Sequence, residues 1–228
     1  MSEKFLFIGR ESGIIQKFNL STCTIIDVHL NESSGIIASK ISINSNSSRM
    51  AVIDTNSVLR LVDLNNKVQK DELANFKRSD VWNVIWASDN PEMFVSMEKI
   101  KMYIFRDITP EEPTSCSGYL CSFSDLEVKV ALLDDIMQRP ENPSQNDIVD
   151  FDTKSLRDTR ELLEKVNLQE ATQFIEQNPH QKLWRLLAET ALNKLDIKSA
   201  EHAFVKCKDY YGIEFVKKLQ NLNVKNIA

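Results

Sequence analysis

The sequence predicts a β-then-α chain: sheet-forming repeats up to about residue 138, then amphipathic helices. Three observations carry this. Apolar residues alternate at period two in three segments that recur every ~40–45 residues, the spacing of propeller blades. The stretch 139–147, RPENPSQND, is polar with two prolines and reads as a linker. From Ser155 onward the apolar period changes to 3.6.

The first repeat segments are FLFIGRESGIIQKFNL (5–20), RMAVIDTNSVLRLVDL (49–64) and EMFVSMEKIKMYIFRD (92–107). Each joins two short apolar strands through a polar turn: Glu11-Ser12-Gly13, Thr55-Asn56-Ser57 or Glu98-Lys99. A further strand precedes the second and third hairpins, ASKISIN (38–44) and VWNVIWA (81–87), and TIIDVHL (24–30) follows the first. Several strands per unit at this spacing predict a partial WD40-type β-propeller of about three blades over 1–138. An ordinary β-sandwich is the alternative. The dipeptides that often close a blade are degraded here to FNL, VDL and FRD. SGYLCSFSDLEVKVALLDDIM (117–137) adds two strands, although LEVKVALLDDIM also fits a helix; β-branched Val128 and Val130 favour strand at its start. Three blades and a remnant do not close a propeller, so these residues are expected to be the end of a larger one.

Residues 148–228 are expected to begin a TPR-like solenoid of antiparallel helical repeats. SLRDTRELLEKV (155–166) places Leu156, Leu163 and Val166 on one face, with Ser155 and Asp158 approximating a capping box. LQEATQFIEQN (168–178) is stopped by Pro179. QKLWRLLAETALNKL (181–195) and KSAEHAFVKCKDY (198–210) follow, and GIEFVKKLQNL (212–222) opens another helix. Trp184, Leu187, Ala188 and Ala191 match the first helix of a tetratricopeptide repeat, and Ala200, Phe204 and Cys207 match the second. Small residues let two helix backbones approach, while Trp184 and Phe204 fill the holes beside them. Gly212 stands where a proline usually breaks the second helix. A generic antiparallel helix pair is the alternative, and it too makes Trp184 a packing residue.

The chemistry-bearing residues are few. Net charge is −5, acid and base balance within 147–228, and neither part has the basic excess of a nucleic-acid surface. Cys23, Cys116, Cys121 and Cys207 lack metal-finger spacing and read as reduced thiols. His29, His180 and His202 have no ligand-spaced partner. No phosphate-cradling or nucleophile motif is present, and five glycines in 228 residues leave little for a phosphate loop. The adjacent acids Glu111-Glu112 and Asp134-Asp135 read as solvated turns. The apolar run Phe5–Gly9 is too short to span a membrane. The expectation is a non-catalytic protein with no cofactor, no metal and no nucleic-acid partner. The last helix offers a candidate partner contact at Phe215, Val216 and Leu219 with Lys217 and Lys218. Docking of its apolar face onto a further helix is the preferred reading.

The blocks VWNVIWASDNPEMFVSMEKIKMYIFR (81–106), EEPTSCSGYLCSF (111–123), SLRDTRELLEKV and, above all, NPHQKLWRLLAETALNKLDIKSAEHAFVKCKDYYGIEFVKKL (178–219) resemble the WD-repeat protein 35 family. Members are propeller–solenoid subunits of intraflagellar transport complex A, and the resemblance covers nearly the whole chain. It implies a non-catalytic scaffold partnered by other complex A subunits, with ciliary membrane cargo as a further partner. The implied roles are retrograde transport, cilium assembly and admission of membrane proteins to cilia. The implied locations are cytoplasm, cilium or axoneme, and basal body. In the family's layout this chain corresponds to the last blades of the second propeller and the first solenoid helices. A vesicle-coat-like trafficking scaffold is the alternative.

Overall fold

In the computed structural model, the described residues are 5–30, 35–65, 73, 75–142, 144–165 and 167–227. Val166, expected on a helix face, lies outside them. The chain divides into two compact units, Met1–Phe151 and Asp152–Ala228.

The first unit carries four antiparallel sheets in chain order. The first holds β1 (Phe5–Gly9), β2 (Ile15–Asn19) and β3 (Thr24–Leu30). The second holds β4 (Ala38–Ile43), β5 (Arg49–Asp54), β6 (Leu59–Asp63) and β7 (Lys77–Arg78). The third holds β8 (Val81–Trp86), β9 (Met93–Glu98), β10 (Lys101–Arg106) and β11 (Thr109–Pro110), with β12 (Thr114–Ser115) beside β10. The fourth holds β13 (Gly118–Ser124), β14 (Glu127–Leu132) and β15 (Ile148–Asp152). Each sheet is a meander of sequential neighbours, as a propeller blade requires. The expected remnant at 117–137 is therefore a blade of its own: Leu126 sits in its hairpin turn, Glu127–Leu132 is strand, and helix α1 (Leu133–Gln138) follows.

The expected linker at 139–147 and helical start at 148 need correction. Ser144 caps a 3-10 turn at Gln145–Asp147, and Arg139 donates to the buried Asp147 carboxylate at 3.2 Å. β15 then joins the fourth sheet, so the division into units falls at Phe151/Asp152. Pro143 lies outside the described residues.

Period-two alternation explains how the sheets stack. On β5, Met50 and Val52 join a cluster with Ile15, Val62 and Leu64, against which Phe7 of the first sheet packs. Ala51 and Ile53 join Val84, Trp86, Phe94 and Phe105, facing the third sheet. A strand buried on both faces reads as a continuous apolar run, as RMAVID does. Polar contacts pin adjacent sheets. The Trp86 indole donates to the Ser42 carbonyl at 3.1 Å, and Asn44 Nδ2 donates to the Pro91 carbonyl at 3.0 Å. Arg49 pairs with Asp107, and Lys40 donates to Asn83. The three hairpin turns each place one residue in the left-handed region: Gly13 (φ 86°), Ser57 (φ 60°) and Lys99 (φ 49°). At Gly13 a Cβ would also lie 2.9 Å from the Ile36 carbonyl oxygen, so glycine is required there.

The second unit holds α2 (Lys154–Lys165), α3 (Leu168–Gln177), α4 (Gln181–Asn193), α5 (Ile197–Cys207) and α6 (Tyr210–Ile227). Ser155 lies within α2, not at its cap; its carbonyl accepts from the Thr159 hydroxyl at 2.7 Å. α3 has no side-chain cap, but the last three helices each have a readable start. His180 Nδ1 accepts from Lys182 N at 3.1 Å for α4, and Asp196 accepts from Ser199 N at 3.2 Å for α5. Asp209 accepts from Gly212 N at 3.0 Å for α6. α5 ends at Lys208, which adopts the left-handed conformation (φ 57°). The helix break therefore belongs to Lys208 and Asp209. Gly212 lies inside the first turn of α6, which corrects its expected role as a breaker.

A candidate interaction surface on the helical unit

Among the described residues, no group of three or more His, Cys, Asp or Glu side chains is placed to hold a metal ion. A charged cleft of the sheet unit, about 260 Å³, is lined by Ser79, Asp80, Glu98, Lys99, Lys101 and Tyr103 among others. Most of its charges are paired, with Lys101 the exception among the described residues. Arg78 forms a forked pair with Glu98 at 2.8 and 2.9 Å, and this bond holds the guanidinium pKa above its ordinary value. Lys99 pairs with Asp80 at 3.1 Å. These pairs tie the cleft's walls to one another. All four cysteines are free thiols; burial pushes the Cys116 and Cys207 thiols up, away from the reactive thiolate. None of the described helices is long and apolar enough to cross a membrane.

The helical unit holds the repeat residues together. Leu183, Trp184, Leu187, Ala188 and Ala191 are buried along α4, and Ala200, Ala203, Phe204 and Cys207 are buried along α5. The four alanines, all at 0% exposure, leave no side chain to hold the two backbones apart. Trp184 meets His202 edge to face at 5.7 Å, and Gln181 Nε2 ties the pair by donating to the Cys207 carbonyl at 3.1 Å. At the far end of α4, Lys194 Nζ donates to the Leu163 carbonyl of α2 at 2.9 Å.

The expected partner-contact residues do not share a face. Val216 is fully buried, so it is packing and not an exposed contact. Phe215 is 52% exposed, Leu219 is half-buried, and Lys217 and Lys218 are exposed. Lys218 pairs with Glu214 at 2.8 Å, one helical turn away. Apolar periodicity identified the stripe but not which of its residues α5 covers. Sequence reasoning also missed the close approach of Gly212 to Phe204: a Cβ at Gly212 would lie 2.3 Å from Phe204 Cδ1. It missed a groove as well. The α3–α4 connection (Pro179, His180, Gln181), Trp184 and the end of α5 (Lys206, Cys207, Lys208) line an open groove of about 290 Å³. Lys206 and Lys208 are exposed, and Lys206 Nζ stands 5.7 Å from the centre of the Trp184 ring. Two helices contribute to this groove, so no local motif announces it.

Stacked meander sheets followed by paired helices agree with known proteins. The family described as the WDR35 second beta-propeller matches residues 1–152, the span of the sheets. WD repeat-containing protein 35 of Rattus norvegicus is 49% identical over 99% of this chain, and that of Homo sapiens is 50% identical over 97%. The chain spans about a fifth of the length of these relatives, 20% and 19%. A solved structure of RRP9 WD40 repeats aligns with 67% of this chain and 49% of its own length, at 11% identity and a TM-score of 0.49. On the family match and the identity over nearly its full length, the chain belongs to the WD repeat-containing protein 35 family.

Proposed function

We propose that this chain is a scaffold segment of intraflagellar transport complex A, without catalytic activity of its own. The observation that carries the reading is the 49–50% identity to WD repeat-containing protein 35 across both units, sheets and helices alike. A WD-repeat scaffold is what that family supplies. Rigid sheets and stacked helices present binding surface, and the paired charges and buried thiols of the described residues suit binding, not turnover. In this reading the full-length protein works in cytoplasm, cilium or axoneme, and basal body. It supports retrograde transport, cilium assembly and admission of membrane proteins, with other complex A subunits and ciliary membrane cargo as partners.

Depletion of the full-length protein in ciliated cells tests this. The expected result is short cilia with transport material retained at the tips, restored by the intact gene. Normal cilia with a defect in vesicle traffic would move the assignment to a coat-like scaffold.

A further inference from the structure

We propose that the groove floored by Trp184 docks an acidic peptide segment of a partner protein, its carboxylates pairing with Lys206 and Lys208. This deepens the scaffold reading by naming a partner class and needs no ciliary assignment.

Charge complementarity argues for this occupant. None of the residues lining the groove is acidic, and the first turn of α4 carries no acid either. Lys206 and Lys208 are exposed and make no ion pair among the described residues. The acids nearby in sequence each accept another hydrogen bond, although the Asp209 charge still reaches Cys207. Asp209 accepts from Gly212 N at 3.0 Å, Glu201 from Gln220 Nε2 at 2.8 Å, and Glu189 from Arg185 at 3.3 Å. The negative end of α5 is partly occupied too, since the Cys207 carbonyl accepts the Gln181 amide at 3.1 Å. Two unpaired ammonium groups thus flank an aromatic floor.

The floor is stiff. Trp184 is 5% exposed, and His202 packs edge-on against it. Lys206 can stay over the indole face while it receives a carboxylate, so binding breaks no existing contact. Lys208 ends α5 in the left-handed conformation and lines the groove beside Lys206. The packed aromatic floor loses little entropy on binding an extended acidic segment.

The test titrates the isotope-labelled 228-residue chain with a hexaglutamate peptide and follows its amide and indole resonances. The expected result is saturable shifts at the Trp184 indole N–H and the Lys206 and Lys208 amides. Affinity should fall at least threefold between 50 and 200 mM salt (chosen as roughly a halving of the screening length). A Lys206→Gln/Lys208→Asn double variant keeps its helical circular dichroism and binds at least fivefold more weakly. Lys206→Arg retains binding, which separates lost charge from lost fold. Absence of saturable shifts, shifts confined to other surfaces, or equal binding by the double variant would each overturn the proposal. So would a preference for phosphatidylserine vesicles over the peptide, since it would assign the groove to a membrane surface.

Discussion

Gly212→Ala sets two magnitudes against each other at one position. Gly212 lies in the first turn of α6, where alanine is worth up to about 1 kcal/mol over glycine in helix propensity. Propensity alone therefore makes the variant more stable. The structure reverses the sign. An added Cβ would stand 2.3, 2.5 and 2.7 Å from Cδ1, Cε1 and Cγ of Phe204. These are ring atoms of a side chain that is 6% exposed, so no flexible end can swing clear. Forcing a carbon into a packed site costs about 1–3 kcal/mol, and with three ring atoms this close the upper part of that range, about 2–3 kcal/mol, applies. The net expectation is a loss of about 1–2 kcal/mol. Urea unfolding followed by helical circular dichroism measures it, because the long helices lie in the second unit. A double-mutant cycle isolates the contact: once Phe204 is leucine, Gly212→Ala should cost at least 1 kcal/mol less than in the parent chain. A neutral or stabilising Gly212→Ala in the parent would refute the close packing of α5 on α6.

Two further outcomes follow from other contacts. Asn44 is 3% exposed; its Oδ1 accepts from the backbone N–H of Ser48 and Arg49 at 2.9 and 3.0 Å, and its amide donates to the Pro91 carbonyl of the next sheet. Asn44→Ala orphans these groups and should lower stability by about 2–3 kcal/mol in thermal unfolding, whereas a loss under 0.5 kcal/mol would show the sheets are not pinned there. Asp196 is held below the ordinary carboxylate range by the Ser199 hydroxyl, and next by the Ser199 backbone N–H. A depressed folded pKa stabilises above the unfolded value, near 3.9, and that contribution fades as pH falls through the folded value. Asp196→Ala should therefore cost about 1 kcal/mol at pH 7, and the gap to the parent should close in acid below about pH 4; a gap independent of pH contradicts the cap.

The longer strands of the second and third sheets announced themselves most clearly. β5 and β9 sit between neighbours on both faces, so their sequences are dense in apolar residues and their hairpin turns stand out. β15 did not announce itself. IVDFD has no buried residue and joins β14 through backbone bonds, which leave no trace in side-chain pattern. The two-residue strands β7, β11 and β12 are too short to show a period. In the helical unit, spacing identified Trp184, Phe204 and the alanines because a helix repeats its buried face every few residues. It could not place Val216 inside and Phe215 outside, since neighbouring apolar positions differ only by what the adjacent helix covers. Gly212 was misread for a related reason: glycine marks both breaks and close approaches, and only the ring of Phe204 decides between them.

The most direct test of the scaffold assignment is what the full-length protein carries with it. Tagged at its own locus in ciliated cells and purified under gentle conditions, it should bring down the other subunits of intraflagellar transport complex A in near-stoichiometric amounts. Recovery of vesicle-coat subunits instead, or of the protein alone, would contradict the assignment.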